Sequence, residues 1–384
     1  MPGFELIGKE EKKQIESIFQ NGGVLFRHGF DNLRNGTFKV KEFEEKFAKK
    51  MNSKYALAVS SGTAALRVAL ATLDIKPGDE IITQSFTFVA TVEAIIESRA
   101  IPVCIDIDKT LNMDPDALEK KINKKTKAII IVHMLGTPCN VKVIKKICRS
   151  KNIALIEDTA WGIGASVKNK YLGTWGNIGT FSFDFAKTIT TGEGGMLLFN
   201  DKKLYKQAAA WHDHGHENNP SVPRWEDTRS SSGFNFRMTE MQAAVGIAQL
   251  KKLEFIVKSH IKNKELITKK LSKFKNIEFR EKPENSIDSA EALIFLVKNK
   301  YLAIKCRKAL LKINVSTKIL PEATTWHFAK HWDHMKELKL NKKNKNYLKV
   351  SNDLLARAVS IPITVNMKKN LPSQIFVALN KVID

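Results

Sequence analysis

Between residues 55 and 200, short and continuously apolar runs alternate with amphipathic stretches, and few folds accept that order. EIITQSF (80–86), IPVCIDID (101–108), AIIIVHM (128–134) and IALIEDTA (153–160) read as strands. SGTAALRVALATLDI (61–75), TFVATVEAIIESR (87–99), DPDALEKKI (114–122) and NVKVIKKICRSK (140–151) read as helices. The third opens with Asp114 as N-cap and Pro115 in the first helical position. Strands apolar throughout, separated by helices, predict an α/β chain whose central sheet is mostly parallel and covered on both faces. After about residue 250 the pattern changes: the helix TEMQAAVGIAQLKKLEFIVKSHIKNKELITKKL (239–271) leads into a Lys-rich α+β stretch. The expected division is an N-terminal segment (1–30) packing near the small domain, a large α/β domain (31–250) and a smaller α+β domain (251–384).

The 384 residues are 43% hydrophobic and 27% charged, ordinary values for a globular chain with a sizeable core. No apolar run reaches the roughly 20 residues that span a bilayer, and MPGFELIGKEEKKQ lacks the order of a signal peptide. The four cysteines (Cys104, Cys139, Cys148, Cys306) form no CxxC pair, so free thiols in a reducing cytoplasm are expected. With 63 basic and 40 acidic residues the net charge is +23. The densest runs, KKINKKTK (120–127) and LKLNKKNKNYLK (338–349), carry almost no aromatics and match no nucleic-acid module. They read as solvated faces, with neither nucleic acid nor membrane as partner.

Ligands of such sheets sit at the carboxyl ends of the strands. Ser61, Gly62 and Thr63 follow the strand YALAVS and open a helix, presenting free N–H groups to a phosphate. Asp158 closes an apolar strand and needs a cation or hydrogen bonds. Lys187 lies in FSFDFAKTITTGEGGMLLF (181–199), after Phe183, Phe185 and Ala186 and before a Thr-Gly turn. Phosphate cradle, carboxylate and lysine together suit pyridoxal 5'-phosphate. Lys187 would meet its aldehyde, Asp158 its ring nitrogen, Ser182 its phosphate, and Phe88 the face of its ring. Lys187 must be neutral to act as a base, and an apolar setting lowers its proton affinity.

FEEKFAKKMNSKYALAVSSGTAAL, GDEIITQSFTFVATVEAI, IEDTAWGIGA, GTFSFDFAKTITTGEGG and GFNFRMTEMQAAVGIAQLKKL occur in this order over about 200 residues. In them the chain resembles the DegT/DnrJ/EryC1/StrS sugar aminotransferases of fold type I. The resemblance implies a pyridoxal-phosphate enzyme and a homodimer with active sites at the subunit interface. It implies that Asn235 reaches the partner's cofactor phosphate, that L-glutamate is the donor, and that Lys187 moves the proton. Relatives that dehydrate carry His in place of this lysine. Where many relatives read EDAAQ or EDAAH, this chain reads EDTAW. Trp161, at the position near the cofactor's ring oxygen, offers one indole donor and otherwise a face.

The N-terminal 40 residues, HDHGHENNPSVPRWEDTR (212–229) and TTWHFAKHWDHM (324–335) are similar to the 8-amino-3,8-dideoxy-manno-octulosonate aminotransferases of lipopolysaccharide synthesis. Those enzymes aminate the C8 aldehyde of an oxidised sugar acid. A nucleotide-linked keto-sugar is the alternative substrate, and a non-catalytic basic regulator the remote alternative to an enzyme. A substrate carboxylate would want an arginine fork, for which Arg27, Arg224 and Arg229 are candidates. His28, His214 and His327 are further substrate candidates. His212, His214 and His216 alternate as on a strand face, and His327, His331 and His334 recur as on a helix face. The chemistry needs no metal, so these histidines are expected near cofactor and substrate or in packing. Glu193 is expected to order the turn after Lys187.

Overall fold

A seven-stranded sheet runs through the centre of the large domain. Its strands are β1 (Tyr55–Val59), β2 (Glu80–Gln84), β3 (Ile101–Ile105), β4 (Thr126–Val132), β5 (Ala154–Asp158), β6 (Ile178–Ser182) and β7 (Gly195–Phe199). They lie in the order β1-β7-β6-β5-β4-β2-β3. β2, β3, β4, β5 and β6 pair parallel, while β7 runs antiparallel to both β6 and β1. The computed structural model describes residues 4–219, 221–338 and 346–383, so most of the basic run at 338–349 lies outside the described residues.

Helices α1 (Lys9–Gln20), α2 (Lys39–Met51), α3 (Gly62–Thr72), α4 (Val89–Glu97), α5 (Pro115–Lys121), α6 (Val141–Ser150) and α7 (Lys202–Trp211) belong to this half. α3 buries Ala65, Leu66, Val68 and Ala69 against Leu57 and Val59 of β1 and Ile156 of β5. On the opposite face Phe43 and Phe47 of α2 pack on Phe181 of β6 and on Phe183 just beyond its end. Asp114 caps α5 as its sequence requires, its side chain accepting from Asp116 N at 2.9 Å.

The second half holds β8 (Glu278–Phe279), β9 (Ala292–Leu296) and β10 (Ala358–Pro362), antiparallel in that order. α8 (Glu240–Leu271), α9 (Lys300–Leu311), α10 (Lys349–Arg357) and α11 (Leu371–Ile383) accompany it. α8 is unbroken across residue 250, so the expected boundary falls inside a helix that belongs to both halves. The N-terminal segment packs mainly on α8: Gln249 and Lys252 donate to Glu11, while Glu5 accepts from Val365 and Asn366 of the small domain. The halves also share a core in which Phe86, Val132 and Trp161 meet Ala292, Leu320, Phe328 and Trp332. The four cysteines are free and buried, and among the described residues no helix is long and apolar enough to cross a membrane.

The expected helix face of His327, His331 and His334 is not formed. This segment contains only the short 3-10 turn Ala329–His331. It is held in place by edge contacts instead: Thr87 N donates to His327 O, Val89 N to Trp326 O and Ala329 N to Ser85 O. Backbone pairing with the exit of β2 outweighs the helical spacing.

Candidate active site

Three features meet at the carboxyl edge of the sheet. β1 leads into Ser61, whose Oγ accepts from Ala64 N at 3.0 Å and caps α3. The N–H groups at the start of α3 therefore point out of the sheet edge. β5 ends on Asp158. β6 ends on Ser182, and the chain turns through Lys187 before returning as β7, with Ser182 opposite Gly195. Two glycines permit this approach. A Cβ on Gly62 would lie 2.7 Å from the Ser182 Cβ, and one on Gly195 would lie 2.3 Å from the Ser61 carbonyl oxygen. The cleft so formed has a volume of about 190 Å³ and is lined by Ser61, Gly62, Thr63, Asp158, Trp161, Ser182 and Lys187 among others.

Lys187 is 8% exposed. Burial pulls its ammonium down to about 8, against the opposing pull of Glu291, Asp184 and Asp158 and with help from Lys318. Its Nζ stands 3.4 Å from the centroid of the Trp161 ring. The face of Trp161 thus solvates the ammonium by a cation–π contact. Asp158 moves the other way: burial raises its proton affinity, although Ala160 N (3.2 Å) and Thr91 Oγ1 (2.9 Å) donate to its two oxygens. A buried carboxylate with only neutral hydrogen-bond donors is set to receive a cation.

The mouth of the cleft is aromatic. Phe88 stacks on Trp326 with centroids 6.3 Å apart, and His327 leans on it at 5.4 Å. Burial takes His327 down to about 4, with Lys187 adding to the effect. Glu193 also lines the cleft, but the turn is ordered through its backbone: its carbonyl accepts from Thr191 Oγ1 and Gln242 Nε2.

The other substrate candidates lie elsewhere. Arg27 is committed internally, donating to Glu44 (2.9 Å) and Ala58 O (3.0 Å) beside His212, and does not line the cleft. His28 lies 3.2 Å from Asp213, a buried carboxylate that also takes Arg224 at 2.5 Å and Arg237. Arg224 is therefore a partner of Asp213. Arg229 and His214 are exposed, the latter with a left-handed backbone at φ 55°. The alternation of His212, His214 and His216 produces no shared face, because His216 pairs with Asp227 at 3.0 Å while His214 turns outward. Asn235 is exposed and outside the cleft, its Oδ1 accepting from Arg237 N.

A sequence profile described as the DegT/DnrJ/EryC1/StrS aminotransferase family matches residues 11–380. The chain belongs to this aminotransferase family. GDP-perosamine synthase of Escherichia coli O157:H7 is 44% identical over 218 residues, covering 56% of this chain and 58% of that protein. The match thus spans under two thirds of that relative's length. Solved structures agree over nearly the whole chain. An aminotransferase from Psychrobacter cryohalolentis superposes with a TM-score of 0.86 at 27% identity, covering 98% of this chain and 97% of that one. The E. coli GDP-4-keto-6-deoxy-D-mannose-3-dehydratase with bound hydrated PLP gives 0.85 at 26%, covering 97% of each chain.

Within this DegT-family fold the residues fit the cofactor named in that last structure. A Cβ at Gly62 would fill the space between the start of α3 and Ser182, where a phosphate would find N–H and hydroxyl donors together. Asp158 lacks a cationic hydrogen-bond partner among the described residues, and Lys187 is buried with a lowered proton affinity. Several residues of this DegT-family site have no clear signal in one sequence. Thr91 binds Asp158 and is itself bound by Thr87 Oγ1 at 2.7 Å. His133 and Glu157 form a fully buried pair at 3.1 Å directly behind Asp158. Glu291 and Lys318 come from the small domain, 3.5 Å apart. Glu157 alone had a trace, as the charged neighbour of Asp158 in an apolar strand.

Proposed function

We propose that this chain is a pyridoxal-phosphate-dependent sugar aminotransferase that takes its amino group from L-glutamate. The observation that carries the reading is the convergence of Lys187, Asp158 and the Ser61–Thr63/Ser182 cradle on one cleft. Ser61, Gly62, Thr63 and Ser182 would hold the phosphate, Asp158 the ring nitrogen and Lys187 the aldehyde carbon. When bound, the cofactor supplies an electron sink that lets a C–H bond beside nitrogen ionise. The protein does the rest. Asp158 keeps positive charge on the ring side of the cleft by a charge-assisted bond. Lys187, half neutral near pH 8, takes a proton at Nζ from one carbon and returns it to another. Trp161 shields that nitrogen from water with its face. Phe88 and His327 close the mouth, and His327 is neutral at pH 7.

The test is spectroscopic. Protein mixed with pyridoxal phosphate should turn yellow, bleach with L-glutamate, and lose both behaviours on Lys187→Ala. Wild-type protein that stays colourless overturns the reading.

For the acceptor, the first reading is the C8 aldehyde of 3,8-dideoxy-8-oxo-manno-octulosonate, a sugar acid of lipopolysaccharide. It is supported by the resemblance of three segments, one of which (324–335) borders the cleft through His327 and Trp326. The second reading, a nucleotide-linked keto-sugar, is favoured by the match to GDP-perosamine synthase. Turnover of both classes with glutamate in one panel separates them: amination of nucleotide sugars alone removes the first. The subunits pair as a homodimer with shared sites, in which exposed Asn235 meets the neighbouring phosphate.

A further inference from the structure

The small domain reaches the catalytic lysine through a buried ion pair. Lys318 Nζ lies 4.6 Å from the centroid of Trp161, the same ring that holds Lys187 at 3.4 Å. Two ammonium groups on one indole repel each other, and both are shielded from water. Lys318 is paired with Glu291 at 3.5 Å, and Glu291 is fully buried with neither carboxylate oxygen in a well-formed hydrogen bond. The backbone fixes all three parts. Lys318 N donates to Ser360 O, Ile363 N donates to Glu291 O, and Ser289 Oγ donates to Trp161 O at 3.1 Å. None of these small-domain side chains lines the cleft, so they act on it through Trp161 and Lys187.

We propose that Glu291 and Lys318 are positioning residues that set the charge state of Lys187 from behind Trp161, with opposite signs. Glu291 favours the ammonium form of Lys187 and holds Lys318 on the ring. Lys318 favours the free amine. The groups facing Lys187 are Asp184 from its own turn, Asp158 from β5, His327 at the cleft mouth, and Glu291 and Lys318 from the small domain. Of these, Glu291 and Lys318 come from the small domain and do not line the cleft. The proposal rests on Lys187 being the reactive amine of the reading above, but its test needs no turnover.

The test measures the acylation rate of Lys187 in cofactor-free protein against pH, by peptide mass spectrometry with an amine-directed anhydride. Wild-type reactivity should rise through about pH 8. Lys318→Met removes a like charge and should lower Lys187 reactivity at pH 7 about fivefold. Glu291→Gln removes an opposite charge and should raise it by a similar factor, the scale of one charge at this range in a protein interior. The double variant should return near wild type. A purely structural role would move both single variants in the same direction, and that result, or no movement in either, overturns the proposal. Failure of the cofactor to colour the wild-type protein would overturn the enzyme reading and leave this titration standing.

Discussion

Lys187 and Asp158 are perturbed in opposite directions by the same cause. Each is buried, and burial disfavours whichever form is charged. An amine that is readily neutral and a carboxylate that wants a cation are the two groups a pyridine-type cofactor needs on its two ends. This pairing makes Asp158→Asn informative. Asparagine can keep one of the hydrogen bonds now made by Thr91 and Ala160, so the fold should hold and the melting temperature should change little. It cannot hold a positive ring nitrogen by charge. Turnover with glutamate should fall roughly 10²–10³-fold, the scale for losing one preorganised electrostatic partner. Stopped-flow absorbance should place the loss in the proton-transfer step, with cofactor still bound.

β5 positions Asp158, and Glu157 next to it determines how firmly. Glu157 Oε1 accepts from Trp175 N at 2.5 Å and Gly176 N at 2.6 Å, and Oε2 accepts from Gly173 N at 2.9 Å and His133 Nε2 at 3.1 Å. His133 Nδ1 accepts from Cys139 N, which assigns the ring proton to Nε2. One carboxylate therefore ties β5 to the loop entering β6 and to the exit of β4. Glu157→Gln would aim an amide donor at these N–H groups. It should cost about 3–5 kcal/mol, seen as a lower denaturant midpoint at unchanged slope. The strand itself was legible in sequence, because IALIED is apolar until its end, and so were Asp158 and Lys187, as charges out of place beside apolar runs. Glu157's partners were not legible, because the residues that bind it come from separate connections with no shared pattern. Thr91, Glu291 and Lys318 are of the same kind: each contacts the site through tertiary packing, and nothing in their local sequence marks them. The helix expected over His327–His334 fails for a related reason, since pairing with Ser85, Thr87 and Val89 overrides spacing.

At the scale of the whole molecule, one chain builds most of the cofactor cleft and leaves one expected cofactor-binding residue, Asn235, outside it. Asn235 is exposed beside Phe234, and Trp225 nearby in sequence is 84% exposed, an unusual setting for large apolar side chains. Asp213, Arg224 and Arg237 brace this stretch against β1, whose Val59 bridges Arg237 and whose exit residue Ser60 donates to Phe236 O. The stretch is therefore tied to the edge that carries the phosphate cradle, yet Asn235 does not line its own chain's cleft. A two-fold pairing explains both facts, because an isologous interface lets each copy complete the other. Mixing inactive proteins tests it. Lys187→Ala and Asn235→Ala variants, each inactive or nearly so, are unfolded together, refolded and assayed. Random pairing gives heterodimers in about half the population, each with one site holding both native residues, so about a quarter of wild-type activity should return. Sedimentation should show a dimer throughout. No recovery, with both variants dimeric and able to refold, would place Asn235 and Lys187 in the same chain's site and remove the shared-site reading.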